Sequence, residues 1–175
     1  MRLIKDKNHC FYTLLALAGM VLLSLSGCLR PDDIDDVPEI LDVKLSKSNA
    51  RGVYDSLFQG DSIKFTISFQ DGDGDIGVAP DDSFYCLFIR DLRRDHIDSL
   101  YLPMVESFGN FDAIRGDIYV TYLNIFCLNS DGLPDPLGND TPSKDTVNFA
   151  IQIMDRARNI SNEFEAPPLF LGCEN

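Results

Sequence analysis

The stretch of the sequence best suited to binding chemistry is FQDGDGDIG at positions 69 to 77, where glycines separate three aspartates: Asp71, Asp73 and Asp75. Carboxylate oxygens are preferred ligands of calcium, which takes about six to eight oxygens. An EF-hand loop also needs glycine at its sixth position and an acid at its twelfth. A loop starting at Asp71 has Ile76 in the sixth position, and one starting at Phe69 has Pro80 in the twelfth. Neither register is therefore an EF-hand.

The elements that would position these aspartates are β-strands. Ile63, Phe65, Ile67 and Phe69 alternate with polar residues, as a half-buried strand requires. No segment predicts a long amphipathic helix, so the sequence predicts an all-β fold: a single immunoglobulin-like antiparallel β-sandwich of about seven strands, with a β-barrel as the alternative. The predicted strands lie in EILDVKLS (39–46), DSIKFTISFQ (61–70), SFYCLFIRDL (83–92), IDSLYLPMV (97–105), DIYVTYLNIFCL (117–128), DTVNFAIQIMD (145–155) and SNEFEAPPLFL (161–171).

The predicted sandwich offers a second route to a metal site. Its loop after the second strand and its turn between the last two strands lie at the same end, so the three aspartates should approach Asp155 and Asn159. Carboxylates about 4 Å apart repel by about 1 kcal/mol per pair even in water, and a cation relieves that repulsion. The ligand type predicts calcium, since no thiolate or imidazole is nearby. The alternative is a plain acidic turn, because glycine permits positive φ and aspartate bonds its own backbone.

The N-terminus has the layout of a secretory signal peptide, with basic residues followed by CFYTLLALAGMVLLSLSGC. LSGC at positions 25 to 28 resembles the lipobox of bacterial lipoproteins. The resemblance implies removal of residues 1–27 and lipidation of Cys28, and several acyl chains make a stable membrane anchor. Residues 28–37 are predicted to form an acidic tether and residues 38–175 the folded domain. An ordinary signal peptide with a chance cysteine is the alternative.

The acidic stretch LRPDDIDDVPE after Cys28 resembles the surface-export signal of Bacteroidota lipoproteins. It implies an outer-membrane lipoprotein displayed on the cell surface, and a periplasm-facing lipoprotein is the alternative. The formal net charge of −13 repels phosphate backbones, which argues against nucleic acid as a partner.

The mature domain would contain three cysteines in an oxidising compartment: Cys86, Cys127 and Cys173. Three thiols allow one disulfide and one free thiol. A bridge between Cys127 and Cys173 would tie down the C-terminal end of the chain. Sequence alone does not give the connectivity, so the other pairings stay open.

Catalysis has little support in the sequence. His96 is the one histidine of the predicted mature chain, and no nucleophile-elbow, zinc-protease or phosphate-loop motif occurs. His96 lies in RDLRRDHID, whose arginines and aspartates we interpret as self-neutralising surface charge. The sequence therefore predicts a protein that is not an enzyme.

FQDGDGDIG and IQIMDRARNISN are similar to the strand-B end and the F-to-G turn of immunoglobulin-like lipoproteins that are common in Bacteroidota and mostly uncharacterised. The resemblance implies the fold rather than an activity. Two functions stay open: a binding or adhesion module that contacts an unknown protein or glycan, and an accessory structural subunit of an envelope assembly with no ligand of its own. Aromatic groups gathered at the loop end would favour the first, and an exposed apolar patch on a sheet face would favour the second.

Overall fold

The computed structural model describes residues 34–52, 61–79, 81–82, 84–105, 113–135, 140 and 142–173. The predicted signal peptide, Cys28 and the first part of the predicted tether lie outside these residues. The described residues form strands and no helix, so none of them lies in a helix long and apolar enough to cross a membrane. The strands are β1 Glu39–Leu45, β2 Asn49–Arg51, β3 Ile63–Asp71, β4 Leu87–Asp91, β5 His96–Leu100, β6 Ile114–Tyr122, β7 Lys144–Val147, β8 Phe149–Ile153, β9 Phe164–Glu165 and β10 Leu169–Gly172.

Two main sheets carry the fold. One has the order β1-β3-β6 and the other β5-β4-β8-β9, with every pairing antiparallel. The predicted all-β antiparallel sandwich is confirmed, although the described residues form ten strands rather than about seven. In immunoglobulin lettering the two main sheets correspond to A-B-E and C′-C-F-G. A small third sheet, β2-β10-β7, adds one parallel pairing between β2 and β10.

The core lies between the inward faces of the two main sheets. Strand β3 alternates between buried and more exposed residues along its length, as its sequence predicts. At the centre, Phe65, Tyr122 and Phe149 pack edge to face, with ring centroids 5.3–5.7 Å apart. Such pairs add to the stabilisation that burial of their area provides. Each predicted strand segment overlaps at least one observed strand, whereas the short strand β2 lies outside all of them.

The largest shift from the predicted bounds occurs at β6. The strand begins at Ile114 and ends at Tyr122, whereas the alternation predicted 117–128. The N–H of Ile125 donates to the carbonyl of Leu123 at 2.9 Å, so the chain turns away from the sheet there. The segment after β6 instead brings Cys127 to Cys173, and the two form a disulfide with their Cα atoms 5.9 Å apart. Cys86 is a buried free thiol.

The interpretation of RDLRRDHID as surface charge is wrong for its central arginine. Arg93 is 13% exposed, and its guanidinium binds both carboxylate oxygens of Asp91, at 3.0 and 2.7 Å. It also contacts the carboxylate of Asp145 on β7 and donates to the carbonyl of Phe126 at 3.0 Å. Arg93 therefore joins the end of β4 to β7 and to the segment after β6.

Acid should break this network. Burial by itself would raise the pKa of Asp91, but the hydrogen bonds and charge of Arg93 hold it below its ordinary value of 3.8. The group thus contributes stability that is fully present above pH 3.8 and is lost as the pH falls through the lower, folded-state pKa. We expect urea unfolding midpoints of the wild type to fall more steeply between about pH 4 and 2.5 than those of Asp91→Asn. Equal slopes would contradict a role for this carboxylate in acid stability.

Candidate functional site

Asp71 is the last residue of β3 and continues its inward face. The position two residues earlier, Phe69, is buried, and period-two geometry turns Asp71 to the same side. The Asp71 side chain has no exposed surface. Its Oδ2 accepts a hydrogen bond from the N–H of Asp75 at 2.9 Å, whereas its Oδ1 is buried without a hydrogen-bond partner. A carboxylate thus occupies a position that an apolar side chain usually fills.

Asp75 connects the B–C loop (residues 72–78) to the F–G turn (residues 154–160). Its Oδ1 accepts from the N–H of Arg156 at 3.2 Å, and its Oδ2 accepts from the N–H of Ala157 at 3.1 Å. Its backbone carbonyl also accepts from Arg156 at 3.2 Å, and Ile76 forms a β-bridge with Asp155. The predicted meeting of these two loops is therefore observed, and Asp75 holds them together.

Asp155 is fully buried and closes the F–G turn on itself. Its Oδ1 accepts from the backbone N–H of Asn159 at 2.7 Å, and its Oδ2 accepts from the side-chain amide of Asn159 at 2.8 Å. The turn passes through Arg158, which has a positive φ of 75°. Asn159 therefore meets Asp155 as a hydrogen-bond donor, and its amide nitrogen orients the carboxylate.

These three carboxylates, called here the acidic cluster, converge at the loop end: one oxygen each from Asp71, Asp75 and Asp155 lies within 4.8 Å of the others. Among the described residues, no lysine or arginine forms an ion pair with any of the three. Burial above all, together with the neighbouring carboxylates, raises the pKa of Asp71 to about 7, against the lowering effect of the hydrogen bond from the Asp75 N–H. The cluster therefore concentrates negative charge where water screens it poorly.

Asp73 does not join the acidic cluster, which corrects the prediction that all three aspartates converge. Its side chain is exposed, because the chain bends at Gly72 and leaves the strand geometry. The N–H of Gly72 donates to the carbonyl of Asp35 at 2.8 Å, and a Cβ at position 72 would clash with the carbonyl oxygens of Ile34 and Asp35. The end of the predicted tether thus packs against the B–C loop, and Asp73 lies on its outer side.

Aromatic side chains gather beside the acidic cluster, a feature that the sequence analysis missed. The guanidinium of Arg158 lies 3.7 Å from the ring centroid of Phe84, which ties the start of strand C to the F–G turn. The next residue, Tyr85, packs against Tyr101 with centroids 4.6 Å apart, and the two are 46% and 53% exposed. We call Phe84, Tyr85, Tyr101 and Arg158 the contact face. Alternation could not single out Tyr85, because apolar residues occur at both parities in SFYCLFIRDL.

The chain was compared with protein-family models, curated proteins and solved structures, and no significant match was found in any of the three. The acidic cluster and the contact face are therefore the two features of the described residues that bear on function.

Proposed function

We propose that this protein is an outer-membrane lipoprotein, anchored through an acylated Cys28 and displayed on the cell surface, that acts as a non-catalytic binding or adhesion module for a protein or glycan. The observation that carries the binding role is the contact face, with its exposed Tyr85–Tyr101 pair beside the stacked Arg158. The lipobox-like LSGC and the acidic stretch after it support the anchor and the surface location.

The chemistry of the contact face suits ligand binding. Tyrosine rings offer flat apolar surface together with a hydroxyl group, and they lose little conformational entropy when they bind. A sugar ring or an apolar side chain can stack on such a surface. Binding also costs less when the loops are already ordered, and hydrogen bonds from Arg156 and Ala157 to Asp75 cross-brace the loops here. Aromatic groups at the loop end favour the binding module over an accessory structural subunit.

The anchor is tested in cells that express the full chain and are fed labelled palmitate. We expect the wild type to incorporate the label and Cys28→Ser to lose it. The matched control is Cys86→Ser, which changes a thiol buried inside the domain and should retain the label. Protease added to intact cells should digest the domain. If protease digested the domain only after the outer membrane had been permeabilised, the protein would face the periplasm and not the cell surface.

Ligand binding is tested with a soluble form that begins at residue 29, since residues 34–175 form a compact unit of their own. We expect it to bind members of a panel of immobilised glycans and purified extracellular proteins. Tyr85→Ala with Tyr101→Ala should weaken that binding about tenfold or more, as loss of aromatic anchors does at interfaces. The control is Tyr119→Ala, which removes an exposed tyrosine from β6 in the other sheet.

The alternative function predicts a different result. An accessory subunit would bind no member of the panel and would co-purify with other envelope proteins from solubilised membranes. Binding that is unchanged in the Tyr85→Ala, Tyr101→Ala variant would contradict the contact face even if a ligand were found.

A further inference from the structure

We propose that Asp71, Asp75 and Asp155 bind a divalent cation, calcium by the chemistry of its ligands, at the junction of the B–C loop and the F–G turn. This proposal does not depend on the binding function above, because a cation would stabilise these loops even in a domain with no other ligand. It rests on the convergence of the three carboxylates and, independently, on the unpartnered oxygen of Asp71.

The unpartnered oxygen is the observation that points to a ligand. Asp71 has no exposed surface, and its Oδ1 accepts no hydrogen bond. Nearly all buried polar atoms in proteins have a partner, and a buried carboxylate oxygen without one is costly. If Asp71 served only to accept backbone hydrogen bonds in the turn, one oxygen would be enough, because the N–H of Asp75 donates to Oδ2 alone. The buried Oδ1 is then left unexplained. A cation beside the cluster would supply the missing partner.

The hydrogen bonds to the other two carboxylates leave lone pairs on their oxygens that could bind a metal. Both oxygens of Asp75 and both oxygens of Asp155 accept N–H donors from the F–G turn. An ionised carboxylate has about four lone-pair sites, so each of these oxygens keeps one for another partner. Donors of this kind orient metal-binding carboxylates in many proteins. The N–H groups of Arg156, Ala157 and Asn159 would therefore act as positioning groups around the ion.

The type of ligand favours calcium over other divalent ions. All three side chains offer hard carboxylate oxygens, which suit calcium and magnesium rather than softer metals. Calcium accepts irregular arrangements of oxygens, whereas magnesium demands near-octahedral geometry and gives up its waters reluctantly. Waters and backbone carbonyls would complete the coordination. Extracellular calcium modules bind with dissociation constants on the order of 10⁻⁴ to 10⁻³ M.

A shared proton is the competing explanation. A proton held between Asp71 and a neighbouring carboxylate would also give its Oδ1 a partner. The two explanations differ in their response to calcium at fixed pH, because a site that holds only a shared proton binds no calcium and gives the protein no calcium dependence. The experiment therefore varies calcium at constant pH and constant ionic strength.

The test uses the soluble form from residue 29, stripped with a chelator, in thermal unfolding and in calorimetric titration with CaCl₂. We expect about 5 mM calcium to raise the melting temperature by about 3–8 °C at such affinities. Asp71→Asn and Asp155→Asn should each lose this rise and the titration heat. Both substitutions keep the shape of the side chain, and circular dichroism confirms that the variants are folded.

The matched control is Asp73→Asn, which removes one carboxylate from the same loop but from outside the acidic cluster. It should keep most of the calcium response. If calcium neither changed the melting temperature of the wild type nor gave heat in the titration, the proposal would be overturned in favour of a shared proton. The proposal would also be overturned if Asp71→Asn responded to calcium as strongly as the wild type does. It would likewise be overturned if Asp73→Asn lost as much of the response as Asp71→Asn, because the effect would then depend on the total charge of the loop. Either outcome leaves the tyrosine experiment unaffected.

Discussion

Replacing Arg93 with alanine should lower the free energy of unfolding by about 3–5 kcal/mol, the usual cost of removing one partner from a buried ion pair. Asp91 is 3% exposed, and Arg93 supplies the two-pronged contact to its carboxylate. The variant would leave that charge in a poorly solvated position, with Arg94, whose Nε is 3.4 Å from Asp91 Oδ2, as its remaining cationic partner. It would also remove the links to Asp145 and to the carbonyl of Phe126. Urea unfolding followed by circular dichroism measures the change.

Arg90 provides a matched control for Arg93 three residues away. Its guanidinium pairs with Asp95 at 3.0 Å and also contacts Glu163, in a more exposed setting. Exposed ion pairs contribute little to stability, so Arg90→Ala should lower the free energy of unfolding much less than Arg93→Ala does. Equal losses in the two variants would show that burial does not distinguish the two arginines.

A double variant tests whether the cost comes from the charge that is left behind. Combining Arg93→Met with Asp91→Asn removes both charges and keeps most of the volume. Because replacing a whole buried ion pair is less costly than removing one partner, the double variant should be more stable than the sum of the single losses predicts. Strict additivity would contradict the pairing of Asp91 with Arg93.

Removing the disulfide should have the second large effect. Cys127 and Cys173 are 46 residues apart in the sequence, and closing a loop of that length is worth about 4 kcal/mol in the chain-entropy account. We expect Cys127→Ala with Cys173→Ala to lower the free energy of unfolding by about 2–4 kcal/mol. Reductant should lower the free energy of unfolding of the wild type, measured by urea unfolding, by a similar amount.

The structure around the disulfide shows which part of the fold its removal should affect. The N–H of Cys127 donates to the carbonyl of Gly52 at 2.8 Å, and the N–H of Cys173 donates to the carbonyl of Ser143 at 3.0 Å. A Cβ at position 52 would press on the Cys127 sulfur, so only glycine fits there without a shift. The bridge thus holds the end of β10 against the segment after β6. The double cysteine variant serves as the control for reductant, which should leave it unchanged. If reductant neither lowered the stability of the wild type nor released free thiols, the result would contradict the disulfide.

The sequence alone determined where most of the strands lie and which side of the sheet their residues face, but not the short strand β2 or the bounds of β6. Alternation is a local property of an extended chain, so Ile63 to Phe69 revealed an inward face before any fold was known. Asp71 lies two residues after Phe69, so the same alternation places its side chain on the buried face. The order of strands in a sandwich then predicted that the B–C loop meets the F–G turn, and the bridge between Ile76 and Asp155 shows that it does.

Tertiary structure alone decided which polar groups meet. The sequence treats Asp71 and Asp73 alike, but the packing of Gly72 against Ile34 and Asp35 bends the chain between them and leaves Asp73 outside. Arg93 resembles its neighbours in RDLRRD, and only contacts with distant strands reveal that it is buried. Tyr85 and Tyr101 pair because β4 and β5 lie side by side in one register. Alternation and turn signals depend on residues a few positions apart, whereas burial and charge pairing depend on neighbours that only folding brings together.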